Sequence, residues 1–275
     1  MRKCPPRAIL KRRMGGELLS DRPADGVLRL AISNPTKRNA LDHAILDALT
    51  HELRTLDDDV RCVLLTGHSG MFSSGYDISE IPVREFAHTA EKLVAHPFCD
   101  ALEALDATEI PTIASLCGSA IGGGLELALA CDMRLACTRI KLGMPPAKLG
   151  LVYSHTGIRR FLNAIGEPRT RELFLLGRYI DARTALQWGL VNWVVEDAKL
   201  DETSIEIASS LAGNAPLSMA GNKKVLRELL RAEAALDPEV EIDLLELRTA
   251  SFHSEDLLEG VSAFAEKRRP SWKGR

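Results

Sequence analysis

The sequence predicts an α/β fold. Short apolar runs of strand length alternate with amphipathic stretches of helical period, and after about Asp197 the alternation gives way to helical patterns alone. The first strand falls at residues 27–32 (VLRLAI) and stops at the breaker Asn34-Pro35. A helix is expected over 40–56, where Leu41, Ala44, Ile45, Ala48, Leu49, Leu53 and Leu56 make one apolar stripe and Asn39 stands as a possible N-cap. Further strands are expected at 62–66 (CVLLT, ending at Gly67), 112–116 (TIASL), 133–137 (MRLAC) and 190–195 (LVNWVV). Residues 200–212, 216–236 and 239–268 read as helices, broken at Pro216 and Pro238. The chain thus divides into a basic, disordered N-terminal extension (1–16), an α/β core (17–199) and a C-terminal helical segment (200–275) that packs on the core or on another subunit.

Bulk composition narrows the function classes. With 45% hydrophobic residues, 27% charged residues and a formal net charge of −3, the 275-residue chain has the make-up of a soluble globular protein. That balance argues against nucleic acid as the main partner, because phosphate binding needs clustered Lys and Arg. The six cysteines (Cys4, Cys62, Cys99, Cys117, Cys131, Cys137) form no CxxC pair, and four sit in apolar runs where a free thiol behaves as a small hydrophobe. With no secretory segment, this usage implies a reducing, cytoplasmic compartment. The seven histidines lack HExxH or other paired-ligand spacing, so no metal is expected. Arg2, Lys3, Arg7, Lys11, Arg12 and Arg13 make the start basic, but no apolar stretch follows as a signal peptide would require; Met14 is an alternative start. No apolar run approaches the roughly 20 residues of a membrane span.

Three glycine- or proline-marked segments could carry chemistry. Met71-Phe72-Ser73-Ser74-Gly75-Tyr76-Asp77-Ile78 follows a strand, and its small residues let the backbone turn sharply and leave N–H groups for an anion. Gly118-Ser119-Ala120-Ile121-Gly122-Gly123-Gly124-Leu125-Glu126 follows another strand and opens a helix, whose free amides and dipole favour negative charge. The segment contains no GxxxxGK[ST], GxGxxG or GxSxG pattern; a hinge for tight helix–strand packing is its structural alternative. Glu126, three residues past Gly123, suits the helix start on dipole grounds alone and is also placed for acid–base work. The third segment, residues 142–157, holds Tyr153 and His155, its two proton-transfer side chains.

Taken in order, these elements resemble the crotonase (enoyl-CoA hydratase/isomerase) superfamily over nearly the whole chain, from about Leu28 to Lys273. The resemblance rests on Asn39-Ala40-Leu41, the Phe72-to-Ile78 loop, Gly118 with Gly122-Gly123-Gly124-Leu125-Glu126, Cys131-Asp132, Gly189-Leu190-Val191, and Glu259-Gly260, Phe264 and Glu266-Lys267-Arg268. It implies a spiral of ββα units with a C-terminal helical trimerisation segment, assembled as a homotrimer or a hexamer. It implies an acyl-CoA substrate and no cofactor beyond the coenzyme A that the substrate carries. Carried onto this sequence, the oxyanion donors are the Tyr76 and Gly123 N–H groups, flanked by Ser74, Gly75 and Gly122. The coenzyme A nucleotide would meet the backbone at Arg38, Ala40, Asp77 and Ile78, with Phe264 and Lys267 of a neighbouring subunit closing over it.

One departure bears on the reaction. Hydratases of this superfamily use two glutamates: the first matches Glu126, while the second falls on Pro146 in Met144-Pro145-Pro146. Losing one acid/base group typically costs ~10²–10⁴-fold. Decarboxylation of a malonyl-type thioester needs no base, only an oxyanion site, a carboxylate held out of the thioester plane and one proton. The sequence is more similar to the methylmalonyl-CoA decarboxylase branch, whose active-site tyrosine matches Tyr153, although Tyr76 stands at that branch's histidine and Pro145 at its threonine. The expected activity is therefore decarboxylation of a short-chain malonyl-type acyl-CoA, with Tyr153 or His155 as proton donor and Glu126 positioning substrate. A hydratase or isomerase using Glu126 alone, and a non-catalytic acyl-CoA binder, are the alternatives.

Overall fold

The apolar residues of the central strands point alternately to two separately covered faces of one sheet, which explains why these strands read as near-continuous hydrophobic runs. The computed structural model describes residues 15–76, 94–233 and 236–275. Nine strands are described: β1 (Glu17–Ala24), β2 (Val27–Ser33), β3 (Cys62–Gly67), β4 (Thr112–Leu116), β5 (Ala120–Ile121), β6 (Met133–Cys137), β7 (Lys141–Gly143), β8 (Tyr179–Asp181) and β9 (Trp193–Val195). Six form a sheet in the order β1-β2-β3-β4-β6-β9, antiparallel only at β1–β2, and β5-β7-β8 form a small second sheet. The described helices are α1 (His43–Arg54), α2 (Cys99–Ala107), α3 (Gly123–Ala130), α4 (His155–Leu176), α5 (Ala182–Trp188), α6 (Leu200–Ala212), α7 (Pro216–Ala232), α8 (Pro238–Phe252) and α9 (Glu255–Ala265).

On one face of the large sheet, Leu28, Leu30, Ile32, Val63 and Leu65 pack with Ile45, Leu46 and Leu49 of α1 and with Leu102 and Leu105 of α2. On the other, Val27, Cys62, Leu64 and Ile113 pack against Ala208 of α6. The helix at 200–212 therefore lies on the sheet, and the helices without sheet contact begin after Gly213. In α7 no side chain is buried, and Leu217, Leu226 and Leu229 are exposed, as are Val240, Ile242 and Leu247 of α8.

Several elements differ from their sequence expectation for identifiable reasons. The first helix starts at His43 rather than 40, because the Asp42 carboxylate caps it, accepting the Ile45 N–H at 3.0 Å. Asn39 has another task. It sits in the left-handed region (φ 55°), fully buried, and its Oδ1 accepts the Asn34 N–H at 2.8 Å. Its Nδ2 donates to the carbonyls of His68 (2.7 Å) and Met71 (2.6 Å). One side chain thus fastens the 34–40 turn to the loop after β3. The strand expected at 190–195 shortens to β9, since the N–H groups of Leu190 and Asn192 donate to the Ala185 and Arg134 carbonyls instead. The helix expected over 239–268 is two, because Ser254 accepts the Leu257 N–H at 3.0 Å and starts α9.

Asn39→Ala removes three hydrogen bonds of a buried side chain and puts in the left-handed region a residue without asparagine's tolerance of it. At about 1 kcal/mol per net bond and about 1 kcal/mol for the backbone, the expected loss is about 3–4 kcal/mol. Urea unfolding monitored by circular dichroism measures it.

Candidate active site

The loops that follow β3 and β4 lie side by side. Ser73 and Ala120 form a parallel bridge in which the Ile121 N–H donates to the Ser73 carbonyl at 3.0 Å and the Ser73 N–H to the Ser119 carbonyl at 3.2 Å. The approach is so close that a β-carbon on Gly75, where φ is +93°, would stand 2.8 Å from the Ile121 carbonyl oxygen and 3.3 Å from the Gly123 nitrogen. Leu41 donates its N–H to the Gly75 carbonyl at 2.8 Å, so the Asn39 turn holds this loop from the other side. Gly122 donates to the Gly143 carbonyl of β7 at 3.0 Å, and its own carbonyl accepts from Leu125 and Glu126. Gly123 follows as the first residue of α3, a helix with no side chain capping its first turn, and such first-turn amides lack intrahelical partners. Among the described residues, the N–H groups of Tyr76 and Gly123 have no backbone acceptor outside their elements.

Both residues line a cavity of about 130 Å³. Ser74, Gly75, Tyr76, Ile121, Gly122 and Gly123 form one wall. Met144, Pro145, Pro146, Leu149 and the stretch from Leu151 to Ser154 form another. Arg248, Phe252, Leu257 and Val261, from α8 and α9, close the third side. The Tyr76 ring lies over Gly123 and meets Phe98 edge-on, with centroids 4.7 Å apart.

Glu126, one turn into α3, is almost fully buried and does not reach the cavity wall, because Tyr153 stands in front of it and donates its hydroxyl hydrogen bond to the carboxylate. The Tyr153 ring is set by an edge contact with Phe174, which in turn contacts Phe161. Space for this pair depends on Gly157: a β-carbon there would fall 2.6 Å from the Tyr153 ring and 2.8 Å from Glu126 Oε1. Arg160 comes within 3.9 Å of Glu126, but both arms of its guanidinium are engaged by Asp106 at 2.6 and 2.9 Å. Burial dominates and holds the Glu126 carboxyl above its ordinary range, opposed by the Tyr153 hydrogen bond and by the charges of Arg160 and Arg248. Desolvation, reinforced by Glu126, pushes the phenols of Tyr76 and Tyr153 well above theirs, so both stay protonated at neutral pH.

The expected site residues are distributed unevenly. Ser74, Gly75, Tyr76, Gly122, Gly123 and Tyr153 meet at the cavity, with Glu126 behind Tyr153. His155 does not line it; its Nε2 lies 3.5 Å from Glu241 of α8. Arg38 and Ala40 stand on the neighbouring turn, where the Arg38 carbonyl accepts the Ser74 N–H at 3.2 Å. Phe264 and Lys267 are exposed at the end of α9, away from this chain's cavity. Asp77 and Ile78 lie outside the described residues. Sequence reasoning missed Arg248 and Phe252. On a helix without a clear apolar face an arginine reads as solvated surface, and the four-residue spacing to an aromatic was the one available hint.

A parallel sheet of this order, with a backbone-lined cavity at the ends of its strands, defines a crotonase-type enzyme acting on acyl-CoA. Residues 22–275 match the family model of enoyl-CoA hydratase/isomerase, and the chain belongs to that family. A carnitinyl-CoA dehydratase of Salmonella typhi is 34% identical over 262 residues, covering 90% of this chain and 95% of the relative. A solved methylmalonyl-CoA decarboxylase in complex with 2-nitronate-propionyl-CoA aligns with a TM-score of 0.86 at 28% identity, over 94% of this chain and 99% of the other. An enoyl-CoA hydratase of Bacillus anthracis aligns at 0.72 with 31% identity, over 94% and 100%. Among the described residues, no helix is long and apolar enough to cross a membrane.

The burial of Glu126 has a measurable pH consequence. Its pKa is raised above the ordinary value of 4.5, so the fold favours the protonated form. This contribution is fully present below the unfolded pKa and is lost as pH rises through the folded one. Glu126→Gln removes that dependence. As pH rises above the ordinary carboxyl pKa of 4.5, denaturant titrations should show the stability difference moving in the variant's favour.

Proposed function

We propose that the chain decarboxylates a short-chain malonyl-type acyl-CoA. The observation that carries this reading is that, among the described residues, no carboxylate lines the cavity. Pro146 lines the wall at the position of the hydratases' second glutamate, and Tyr153 covers the first. Water addition would need acid/base groups facing the double bond, whereas enolate formation by loss of CO₂ needs none. The higher TM-score with the decarboxylase than with the hydratase supports the same reading.

In this mechanism the N–H groups of Tyr76 and Gly123 hold the thioester oxygen, each worth on the order of 3 kcal/mol in the transition state. The bond from Cα to the carboxylate breaks, its electron pair passes into the thioester enolate, and CO₂ departs. With Glu126 protonated, Tyr153 is released from donating to the carboxylate, turns its O–H to the cavity and gives that proton to Cα. Glu126 lies directly behind Tyr153 and, with its raised pKa, can return a proton to the phenolate; solvent restores it. The reaction consumes one proton per CO₂ released.

Incubation with malonyl-, methylmalonyl-, ethylmalonyl- and crotonyl-CoA, followed by mass spectrometry of the CoA products, tests the reading. Loss of CO₂ from a malonyl thioester is expected. Gain of water on crotonyl-CoA would instead favour the hydratase reading, which the dehydratase relative supports. Binding without turnover would make the chain a non-catalytic acyl-CoA binder. Tyr153→Phe should lower decarboxylation ~10²–10⁴-fold while CoA affinity holds.

The exposed apolar residues of α7 and α8 support a homotrimer or a dimer of trimers, with the C-terminal helices at the interface. Phe264 and Lys267 would then be free to close over a neighbour's nucleotide. Light scattering is expected to give the mass of three or six 30.1 kDa chains; a single-chain mass would overturn the assembly.

A further inference from the structure

Among the described residues the cavity wall carries one charged side chain, and it comes from the C-terminal helices rather than from the catalytic loops. Arg248 of α8 lines the space together with Ser74, Tyr76 and Tyr153. Its neighbours in the fold show what arginines here ordinarily do. Arg160 is bound through two arms to Asp106, and Arg268 through two arms to Glu259. Among the described residues the Arg248 guanidinium has neither a hydrogen bond nor an ion pair. Its side-chain contact is the ring of Phe252, 5.5 Å away and buried. Stacking on an aromatic face fixes the plane of the guanidinium and leaves its N–H fork open.

The surroundings are otherwise neutral or apolar: two prolines, leucines, Val152 and the two protonated phenols. Glu126, the nearest carboxylate in the catalytic group, is engaged by Tyr153. Among the described residues, a half-buried cation with an open fork, facing an apolar cavity, has no anion to balance it.

We propose that Arg248 selects a carboxylate on the acyl group, so that the site takes CoA thioesters of dicarboxylic acids in preference to those of simple fatty acids. The inference rests on the reading that this cavity holds the acyl part of an acyl-CoA. It adds a distinction between substrate and product: once the carboxylate has left as neutral CO₂, the acyl group has nothing to offer the guanidinium. Attraction made to the starting carboxylate and absent from CO₂ serves binding rather than the chemical step.

The test compares two probes by calorimetry on the full-length protein. Propionyl-CoA is neutral in its acyl group, whereas 2-nitronate-propionyl-CoA carries an anionic group and has no CO₂ to lose. The wild type should bind the anionic probe more tightly. Arg248→Met should lose on the order of ten- to a hundredfold of that preference, while propionyl-CoA affinity reports that the fold is intact. Arg248→Lys should restore part of it, having charge without the planar fork. An unchanged preference in Arg248→Met, or an equal loss for both probes, overturns the proposal and leaves Arg248 a packing partner of Phe252. The probes are read without turnover. A preference residing in Arg248 therefore stands even if no malonyl thioester releases CO₂, and CO₂ release with an Arg248-independent preference defeats this inference alone.

Discussion

A single buried carboxylate constrains this site more than any other group. Glu126 is 2% exposed in the first turn of α3, and an isolated charge there would carry a desolvation penalty of several kcal/mol. The fold answers in several ways at once. The start of α3 contributes positive potential, Tyr153 donates a hydrogen bond, and Arg160 lends a distant positive charge. Desolvation still outweighs these, because Arg160 is committed to Asp106 and the phenol is neutral. Local sequence choices follow from the same requirement. Position 157 must be glycine because Tyr153 and Glu126 already occupy the space a β-carbon would need. Phe174 and Phe161 fix the ring that keeps the phenol between carboxylate and cavity.

How much of this could be read from the chain depends on whether a residue's role is local. The central strands at 27–32, 62–66, 112–116 and 133–137 are legible because each is buried on both faces over most of its length and is largely apolar, with Arg29 and Arg134 as the charged exceptions. β1 was not: its sequence, ELLSDRPA, is that of a largely exposed edge strand. The second sheet, with strands of two and three residues, is too short for any pattern. Asn39 illustrates a subtler limit. Asparagine before an apolar stripe is a reasonable cap, yet Asp42 takes that role and Asn39 bridges to a loop some thirty residues on, which no local rule anticipates.

The candidate site divides along the same line. Ser74 to Tyr76 and Gly122 to Gly123 were visible because a tight turn with free amides demands small residues. Tyr153 and Glu126 were each visible, but their pairing was not, since it depends on how α4 is laid across α3. That pairing alters the chemistry open to the glutamate. A carboxylate facing substrate can act on water, whereas one covered by a phenol acts through the phenol. Arg248 was invisible for a related reason: the helix carrying it is amphipathic on neither face, and only the cavity reveals which way its cation points.

The apolar wall and the lone cation would seem to pull against each other in a decarboxylation, and magnitudes decide how they combine. Moving a carboxylate into a neutral, apolar cavity raises its energy relative to a transition state in which the charge has spread into the thioester. A guanidinium pairing with it would undo that gain if the pair were deeply buried. At 4 Å, attraction is about 4 kcal/mol at an effective dielectric of 20 and about 1 kcal/mol in water. Arg248 is half-buried at the helical rim, between these limits, while the proposed oxyanion amides and Tyr153 sit against the packed core. On the proposed reading, a cation so placed would contribute enough to choose an anionic acyl group and too little to hold its carboxylate in place. The neutral positions at 145 and 146 and the charge at 248 would then be two parts of one arrangement, an apolar wall that favours charge dispersal and a cation at its rim that admits the anionic acyl group.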